Sequence, residues 1–433
     1  MKICIIGAGH VGLVSGACFA DLGNEVVCVD VDGEKINKLR KGIIPFFEPE
    51  LEELVKKNVK EGRLSFTTGL EEGVKESGII FISVGTPSRD NGEADLSYVE
   101  DVSKRIAGAM EEYKIVVEKS TVPVKTGEWV RRTIKLNNVH GVDFDVVSNP
   151  EFLREGSAIY DFMYPDRIVV GVESERAEKV MRELYEPLKA SLIFTDIKSA
   201  EIIKHASNSF LALKISYINA IANVCELVGA DVEKVAEGMG LDKRIGRSFL
   251  KAGIGYGGSC FPKDIAAFIK IAGESGYDFE LLRVAEKVNR EQREQFLKKI
   301  KDSLWTLNNK TIGVLGLAFK PDTDDVREAP SLKIIEQLQA EGAKIKAFDP
   351  AAIETTRAVL KDIEYCADPY EVAEGSDCLL ILTEWEQFKN LDLKRIKSLL
   401  NNPLILDGRN IYNPRELKNM GFTYIGIGIK PEI

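Results

Sequence analysis

A glycine-rich segment that leads into a cysteine is the part of this sequence most suited to covalent chemistry. Residues 253–264 have the sequence GIGYGGSCFPKD, with four glycines in the first six positions. Pro262 suits the first turn of a helix, so Cys260 is expected at a helix N-terminus beside Lys263, a setting that favours a thiolate. Asp264 could orient water or accept a proton. The segment therefore predicts a nucleophilic cysteine, and the alternative is an inert cysteine that is simply buried.

A lysine and an asparagine one helical turn apart form a second candidate. In the segment KHASN, Lys204 and Asn208 are at positions i and i+4 and so project from the same face of a helix. A cation beside a neutral donor suits an oxyanion or an alcohol that is being oxidised. Such a pair is also common on solvated helix surfaces, and the intervening His205 is expected to be structural.

The amino terminus carries a dinucleotide-binding pattern. Residues 7–12, GAGHVG, follow a strand pattern and precede a helix pattern, and Asp30 comes 21 residues after Gly9 at the end of the next strand. Glycines permit the close approach of backbone to a pyrophosphate, and the carboxylate would accept from a ribose 2′-hydroxyl. Because the same carboxylate would repel a 2′-phosphate, the pattern favours NAD over NADP. A glycine turn without a ligand is the alternative.

Further polar segments follow apolar strand patterns, where doubly wound folds bind ligands. Each of them, taken alone, is an ordinary turn or a solvated loop. They are residues 83–87 (SVGTP), 119–123 (KSTVP), 149–156 (NPEFLREG), 319–327 (FKPDTDDVR) and 407–409 (DGR).

Apolar periodicity predicts the elements that must position these residues. Strands and helices alternate up to about residue 195, which predicts a doubly wound parallel sheet. Helical spacing then runs from Ser199 to Gly229 and continues to about Trp305, and the strand–helix alternation resumes at Thr311. We expect an α/β protein with two doubly wound, Rossmann-like domains joined by a helical middle domain with a long central helix. The expected domains are residues 1–198 for NAD, 199–305 for the helical part and 306–433 for a second domain that resembles a nucleotide-binding domain.

Composition argues against several classes of protein. Lys and Arg number 58 against 68 Asp and Glu, for a formal charge of −10, which argues against a nucleic-acid partner. The three histidines and the scattered seven cysteines argue against a structural zinc site or a disulfide framework. No metal is expected. A signal peptide and a bilayer-spanning apolar run are not expected either, so the protein is expected in the cytoplasm and not in a membrane.

Together the motifs resemble those of the nucleotide-sugar dehydrogenases, along essentially the whole chain. Residues 257–264, GGSCFPKD, form the most specific motif, and Lys204 with Asn208 and residues 149–156 add to it. Residues 164–171, YPDRIVVG, are similar to the branch that acts on UDP-glucose. Residues 43–62, which begin IIPFFEP, also fit the family but receive no chemical role.

The resemblance implies the oxidation of a sugar C6 alcohol to a carboxylate with the reduction of two NAD. Lys204 and Asn208 would hold the C6 oxygen during the first hydride transfer. Cys260 would then add to the aldehyde to give a thiohemiacetal, and the second oxidation would leave a thioester for water to hydrolyse. Asp264, Thr121 and Glu155 would place water and move protons.

The resemblance also implies the binding residues. The expected NAD contacts are Gly7, Gly9, His10, Val11, Gly12, Asp30, Lys35, Thr86, Ser120, Thr121, Glu155, Lys263 and Arg327. The expected UDP-glucose contacts are Glu151, Phe152, Leu153, Arg154, Lys204, Asn208, Arg244, Phe249, Lys251, Tyr256, Gly257, Phe319, Lys320 and Arg409. Arg244 resembles the family arginine that reaches in from a neighbouring subunit. The long helix resembles the family's dimer-forming helix, which implies at least a homodimer.

Three alternatives remain open. The substrate could be another nucleotide sugar, such as GDP-mannose or a UDP-N-acetylhexosamine. A two-electron 3-hydroxyacid dehydrogenase also pairs a dinucleotide domain with a Lys-xxx-Asn helix, but it would need neither Cys260 nor the domain beyond Thr311. A silent NAD or nucleotide-sugar sensor would bind its ligand without accumulating NADH.

Overall fold

The structure, a computed structural model, describes residues 1–87, 89 and 94–429, and the chain divides into two units. Unit 1 comprises residues 1–207 and 266–276, and unit 2 comprises residues 208–265 and 277–433. Two helices, given below, continue from one unit into the other.

In unit 1, strands and helices alternate as the apolar periodicity predicts. The elements are β1 (Lys2–Ile6), α1 (His10–Asp21), β2 (Glu25–Val29), α2 (Gly33–Arg40), α3 (Leu51–Lys60), β3 (Leu64–Thr67), α4 (Leu70–Glu76), β4 (Ile79–Ile82), α5 (Ser97–Ala109), β5 (Lys114–Glu118), α6 (Thr126–Asn137), β6 (Phe144–Ser148), α7 (Ala158–Met163), β7 (Ile168–Gly171), α8 (Glu175–Tyr185) and β8 (Leu192–Thr195).

Within the described residues, the strands of unit 1 form one sheet in the order β3-β2-β1-β4-β5-β6-β7-β8. The order reverses between β1 and β4, which is the crevice where doubly wound sheets bind ligands. The expectation of a fully parallel sheet is wrong at one place, since β7 pairs antiparallel with β6 through Ser148 and Gly171. An antiparallel neighbour needs no long crossover helix, and the connection between these strands holds only the six-residue α7.

Both faces of this sheet are buried, which explains the continuous apolar strands. Along β1, Ile3 and Ile5 face one core with Phe19 of α1, whereas Cys4 and Ile6 face the other core. The alternation follows from the two-residue period of a strand. The loops at the carboxyl ends of the strands are thereby fixed to a rigid layer.

A single helix, α9 (Ile197–Val228), continues from unit 1 into unit 2. Its 32 residues agree with the helix expected from Ser199 to Gly229. By length and composition this helix could cross a membrane, because residues 206–228 are charged only at Lys214 and Glu226. The expectation that no segment has this character is therefore wrong, although core helices of soluble proteins also have it.

The remaining elements supply further helices and a second sheet. They are α10 (Val232–Gly240), α11 (Phe261–Glu274), α12 (Glu280–Leu304), β9 (Thr311–Leu315), α13 (Pro330–Ala340), β10 (Lys344–Phe348), α14 (Ile353–Val359), β11 (Ile363–Tyr365), α15 (Pro369–Ala373), β12 (Cys378–Ile381), α16 (Glu386–Lys389), α17 (Leu393–Leu399), β13 (Leu404–Asp407), α18 (Pro414–Asn419) and β14 (Thr423–Ile425). Helix α11, like α9, belongs to both units.

The sheet of unit 2 repeats the topology of unit 1. Its order, β11-β10-β9-β12-β13-β14, is parallel throughout the described pairings and matches the order of the first six strands of unit 1. Asp349 follows β10 as Asp30 follows β2, but it is buried and its Oδ2 accepts from Leu317 N and Trp385 Nε1. The aspartate of the second sheet thus holds its own loop and is closed to a ribose.

Candidate active site

The glycine loop after β1 has the backbone that a bound pyrophosphate requires. Gly7 has a φ of +103°, and a Cβ atom there would lie 2.5 Å from the carbonyl oxygen of Ser83. A Cβ at Gly12 would lie 1.8 Å from the carbonyl oxygen of Gly7. Helix α1 begins at His10, so its N-terminus opens onto the loop. This cradle fits a dinucleotide at a helix N-terminus.

Asp30 holds the glycine loop and keeps part of its carboxylate exposed. Its Oδ2 atom accepts from Ala8 N at 2.9 Å and from Lys35 Nζ at 3.0 Å. Its Oδ1 atom accepts from Asp32 N at 3.0 Å, and about a tenth of the side chain is exposed. The structure therefore brings Asp30 and Lys35, two of the expected cofactor residues, together at the glycine loop.

The segments that follow β4 and β5, residues 83–87 and 119–123, lie side by side in unit 1, and together they are called the wall below. Thr86 Oγ1 donates to Thr121 O at 2.9 Å, and Ser120 Oγ donates to Val84 O at 2.9 Å. Three residues expected to contact the cofactor or the reacting group are thus held by bonds between neighbouring strand ends. His205 Nε2 donates to Val122 O at 2.8 Å, which agrees with its expected structural role.

Two buried carboxyl groups support this wall, and the sequence analysis missed both. Glu118 Oε1 accepts from Ser120 N at 2.8 Å, and burial, with a smaller contribution from Glu201, raises the pKa of Glu118 to about 8. Glu201 accepts from the backbone N–H groups of Lys125 and Gly127, and burial raises its pKa to about 7. A glutamate at the end of a buried strand was the available signal for Glu118.

Lys204 forms a buried ion pair with Glu151. The Nζ and Oε1 atoms are 2.8 Å apart, and both side chains are about 95% buried. Burial alone would raise the pKa of Glu151, but the Lys204 ammonium and the other donors outweigh it and keep that pKa below its ordinary value. Lys204 Nζ also lies 5.4 Å from the centre of the Phe152 ring. Two expected site residues that are 53 positions apart therefore meet in unit 1.

Lys119 is a second buried cation beside this pair and was missed by the sequence analysis. Its Nζ donates to Asn149 Oδ1 at 3.1 Å, and Tyr185 donates its hydroxyl to the same oxygen at 2.5 Å. Burial lowers the pKa of Lys119 to about 8, with Glu151 opposing the shift and Lys204 adding to it. The carboxylate of Glu151 is thus influenced by two buried lysines, by Lys204 through the ion pair and by Lys119 through its charge.

The rest of the loop after β6 is arranged by local contacts. Leu153 N donates to Glu151 Oε2 at 2.6 Å, and the Arg154 guanidinium pairs with Asp161. The Arg167 guanidinium lies 3.6 Å from the centre of the Phe152 ring. Glu155 is half-buried. Arg154 is exposed, so its expected contact with the substrate stays a prediction.

In unit 2, Cys260 directly precedes α11, as the sequence predicts. All seven cysteines lie within the described residues, and Cys260 is the one whose side chain is not buried. Burial raises the pKa of the thiols of Cys4, Cys18, Cys28 and Cys378. Accessibility therefore singles out Cys260 as the thiol that can meet a substrate.

Asn208 and Asp264 meet close to this cysteine in the chain. Asn208 Nδ2 donates to Asp264 Oδ2 at 2.6 Å, and both residues are buried. The other carboxylate oxygen, Oδ1, has no hydrogen-bond partner among the residues that the structure describes, and Lys263 Nζ lies 3.7 Å from it. An oxygen of this kind can accept from a water molecule or a substrate hydroxyl.

Two buried amides hold the glycine-rich segment, and neither was expected. Asn289 bonds both backbone groups of Tyr256, at 2.8 Å to N–H and 3.1 Å to C=O. Asn219 Oδ1 accepts from Gly253 N at 2.9 Å. Asn219 lies in an otherwise apolar stretch of helix α9, which is a sequence signal that could have identified it. The residues around Asn289 in α12 are mostly charged or polar and give no such signal.

Arg409 joins two segments expected at the nucleotide-sugar site. Its guanidinium donates to Gly255 O at 3.1 Å, to Phe319 O at 3.3 Å and to Leu382 O at 2.9 Å. Gly258 packs so closely that a Cβ there would lie 2.7 Å from the Phe319 ring. The structure thus brings the glycine-rich segment, Phe319 and Arg409 together in unit 2.

The other expected residues of unit 2 lie at or near its surface. The Arg244 side chain is 89% exposed and pairs with Asp242, and Arg327 pairs with Asp325. Lys251 is exposed, whereas Lys263, Lys320, Phe249 and Tyr256 are partly or fully buried. The roles expected for these residues stay predictions. Among the described residues, no group of three His, Cys, Asp or Glu side chains could hold a metal ion.

Comparison with known proteins gives full-length matches. The UDP-glucose/GDP-mannose dehydrogenase family matches through its NAD binding domain at residues 1–189, its central domain at 198–291 and its UDP binding domain at 313–414. UDP-glucose 6-dehydrogenase TuaD of Bacillus subtilis (strain 168) is 51% identical over 99% of this chain and 93% of that protein. UDP-glucose 6-dehydrogenase of Rhizobium meliloti (strain 1021) is 49% identical over 99% of both.

Solved structures agree with these matches. A UDP-glucose dehydrogenase from the archaeon Pyrobaculum islandicum has a TM-score of 0.93 at 39% identity, covering 99% of this chain and 97% of that one. A UDP-D-ManNAc dehydrogenase from Pyrococcus horikoshii has a TM-score of 0.88 at 29% identity, covering 99% of both chains.

Proposed function

The chain belongs to the UDP-glucose/GDP-mannose dehydrogenase family, and we propose that it is an NAD-dependent UDP-glucose 6-dehydrogenase. It oxidises the C6 alcohol of UDP-glucose to the carboxylate of UDP-glucuronate in a four-electron reaction. Relatives that carry this name are 41–51% identical to the chain over nearly its full length. The accessible thiol of Cys260 at the start of α11 is the observation that carries the proposal, because covalent capture keeps the aldehyde from leaving half-oxidised.

The first oxidation requires the C6 hydroxyl to lose a proton and C6 to lose a hydride. NAD, when bound, accepts a hydride in each of the two oxidations. Lys204 and Asn208, one helical turn apart on α9, hold the C6 oxygen as its negative charge develops. Glu151 keeps the Lys204 ammonium in place through their buried ion pair.

The second oxidation follows the addition of Cys260 to the aldehyde. The sulfur forms a bond to C6 while the carbonyl oxygen takes back the proton that was lost in the first oxidation, which gives a thiohemiacetal. Loss of a hydride from C6 and of the hydroxyl proton leaves a thioester. Water then attacks C6, the C–S bond breaks and the thiolate returns. Asp264 takes the proton from that water through Oδ1, which accepts no hydrogen bond from the described residues, and Thr121 and Glu155 help to place the water.

The residues expected around the two substrates keep their roles in this proposal. The cofactor site uses the glycine loop with Asp30, Lys35, Thr86, Ser120, Thr121, Glu155, Lys263 and Arg327. The nucleotide-sugar site uses the loop after β6, the glycine-rich segment, Lys251, Phe319, Lys320 and Arg409. Support comes from the bonds of Arg409 to both Gly255 and Phe319, which fix two of these segments.

We propose a homodimer formed through α9. Phe210, Tyr217 and Val224 are spaced by seven residues on one face of this helix and are 62%, 55% and 51% exposed. An apolar stripe of this kind is costly to leave in water and suits a second copy of the same helix. The exposed Arg244 then reaches the substrate of the neighbouring subunit. We also propose a cytoplasmic location, because an odd number of cysteines scattered along the chain does not suit a disulfide framework.

The stoichiometry of NADH formation tests the proposed reaction. UDP-glucose is supplied as the limiting reagent with excess NAD, and the absorbance of NADH is followed to completion. Two NADH per UDP-glucose are expected. One NADH per sugar would mean that the aldehyde is released. Turnover of GDP-mannose or of a UDP-N-acetylhexosamine in place of UDP-glucose would assign another nucleotide sugar.

A further inference from the structure

Glu48 is a buried carboxylate in the segment to which the sequence analysis gave no chemical role. It lies between β2 and β3, shortly before α3, and its side chain is 1% exposed. A carboxylate is expensive to bury unless its oxygens accept hydrogen bonds. Its partners therefore indicate what the residue does.

The carboxylate of Glu48 joins three distant parts of unit 1. His10 Nε2 donates to Oε2 at 2.6 Å, and Gly156 N donates to the same oxygen at 2.8 Å. Ala158 N donates to Oε1 at 2.8 Å. The partners are 38, 108 and 110 residues away in the sequence. Sequence periodicity gives no sign of such a contact.

One partner belongs to the dinucleotide loop itself. His10 is the first residue of α1, and its side chain is about one-fifth exposed. The Phe46 ring, from the same segment as Glu48, lies 5.0 Å from the His10 ring. Because Glu48 and Phe46 both hold the imidazole, its nitrogen bonded to Glu48 is fixed as the donor and its ring plane is fixed beside the glycine loop.

The other two partners end the loop after β6. Gly156 has a φ of +81°, and Ala158 is the first residue of α7. This loop carries Glu151, which pairs with Lys204, and Glu155, which is proposed to contact the cofactor. The Glu48 carboxylate thus ties the loop to the start of α1.

We propose that Glu48 is a positioning residue for NAD, acting through His10 and the loop after β6. In the geometry it imposes, the glycine loop and the loop that carries Glu155 present one preformed surface to the dinucleotide. The part that concerns Glu155 rests on the proposed function, whereas the part that concerns His10 rests on NAD binding alone. A preformed site binds its ligand more tightly, because its loops lose their conformational entropy on folding and not on binding.

A purely structural role for Glu48, in which it only accepts from the first N–H groups of α7, makes a different prediction. In that case the effect of changing Glu48 is independent of His10. If Glu48 acts through His10, the two residues behave as one unit and their effects on NADH binding do not add.

The test is a double-mutant cycle on NADH affinity, measured by fluorescence titration without any nucleotide sugar. Glu48→Gln and His10→Phe are each expected to raise the Kd for NADH about tenfold, as for the loss of a hydrogen bond to a charged group. The double variant is expected to match the single variants within about threefold. Glu53→Gln, an exposed neighbour on α3, is the matched control and is expected to leave the Kd unchanged.

Additive losses, with about a hundredfold higher Kd in the double variant, would overturn the proposal, and so would unchanged Kd values in both single variants. If Glu48→Gln does not fold, the Kd values of His10→Gln and His10→Phe for NADH are compared instead. The amide retains a donor toward Glu48 and is expected to keep most of the affinity. Steady-state assays should show a higher KM for NAD with nearly unchanged kcat. Because NADH binding needs no sugar, a wrong sugar assignment would leave this result standing.

Discussion

Asn208 donates a 2.6 Å hydrogen bond from Nδ2 to Oδ2 of Asp264, which leaves Oδ1 of the same carboxylate buried without a hydrogen-bond partner among the described residues. The two side chains come from α9 and α11, and Asp264 is one helical turn beyond Cys260. The asparagine therefore orients the carboxylate, and the remaining oxygen is the one that can act on water. This division suits an aspartate that serves the hydrolysis of the thioester more than the hydride transfers.

Asp264→Asn is expected to separate the oxidations from hydrolysis. The amide oxygen can still accept from Asn208, but no proton acceptor remains, so kcat should fall by about 10²-fold or more. Stopped-flow absorbance should show a rapid formation of two NADH per active site, followed by a slow steady rate. Asp302→Asn, an exposed aspartate on α12, is the control. A burst of one NADH, or an unchanged kcat, would contradict the assignment of Asp264 to hydrolysis.

Cys260→Ser is expected to bind UDP-glucose normally and to lose the formation of UDP-glucuronate by about 10³-fold or more, because a hydroxyl replaces the thiolate nucleophile. Calorimetric titration measures the binding, and chromatography of the products measures the acid. Cys366→Ser, at a buried cysteine whose pKa is raised to about 11 by burial, is the control and should retain activity. Normal output of UDP-glucuronate from the Cys260 variant would rule out the covalent step.

Asp30→Asn is expected to relax the choice of cofactor with little loss of NAD binding. The amide can still accept from Ala8 N, but the negative charge is gone and Lys35 is released to meet a 2′-phosphate. The ratio of kcat/KM for NADP to that for NAD should rise at least about tenfold, as for the loss of a few kcal/mol of charge repulsion.

Asp30→Ala is the comparison for this experiment, because it also removes the acceptor for Ala8 N. It should therefore raise the KM for NAD as well as relax the selectivity. If both variants keep the wild-type ratio of NADP to NAD activity, Asp30 does not set the cofactor preference.

Tyr217→Asp is expected to weaken the proposed homodimer. The side chain is 55% exposed at the middle of the apolar stripe on α9, and a carboxylate there would be buried opposite its own symmetry partner. Sedimentation velocity should show a shift from dimer to monomer at micromolar concentration. Leu136→Asp, on the 75% exposed Leu136 of α6, should leave the oligomeric state unchanged. A wild-type monomer would refute the dimer, and an unaltered dimer in the Tyr217 variant would place the interface elsewhere.

Local patterns predicted most of the fold. The strands β2 (Glu25–Val29) and β9 (Thr311–Leu315) have the bounds that apolar runs indicate, because strands buried on both faces are largely continuous apolar segments. The antiparallel pairing of β7 was not predictable in this way, since a strand pattern carries no direction. Periodicity likewise indicates nothing about which strand lies beside which.

The same distinction between local patterns and long-range contacts applies to the candidate site. Asp30 and Cys260 follow recognisable motifs, and the structure puts them at a strand end and a helix start as expected. Lys119, Asn289 and Glu48 were missed because their roles arise from contacts with residues far away in the sequence, such as the 108 positions between Glu48 and Gly156. No local sign marked Asn289, because its neighbours in α12 are mostly charged or polar. Motifs identify the groups that react, and the groups that hold them become visible only after folding.

Glu118→Gln tests whether the buried carboxyl group that accepts from Ser120 N is neutral in the folded protein. Burial raises the pKa of Glu118 to about 8 in the folded protein, far above the ordinary value of a glutamate. Between about pH 4.5 and pH 8 the folded protein keeps this proton while the unfolded chain releases it. The stability contributed by Glu118 is therefore complete below about pH 4.5 and is lost as the pH rises through about 8.

The glutamine variant lacks this dependence, and its amide oxygen can still accept from Ser120 N. Urea unfolding at a series of pH values from 5 to 9 should show that the variant gains stability relative to the wild type as the pH rises. The gain should reach roughly 2–4 kcal/mol by pH 8, from about 1.4 kcal/mol per unit of pKa. Lys119, with a pKa lowered to about 8, is present in both proteins and cancels in the difference. Glu183→Gln, at an exposed carboxyl group on α8, should give a curve parallel to the wild type. If the free energy of unfolding of Glu118→Gln also runs parallel to that of the wild type over this pH range, Glu118 is ionised in the folded protein. A buried ionised carboxylate would then require a cation close to Glu118.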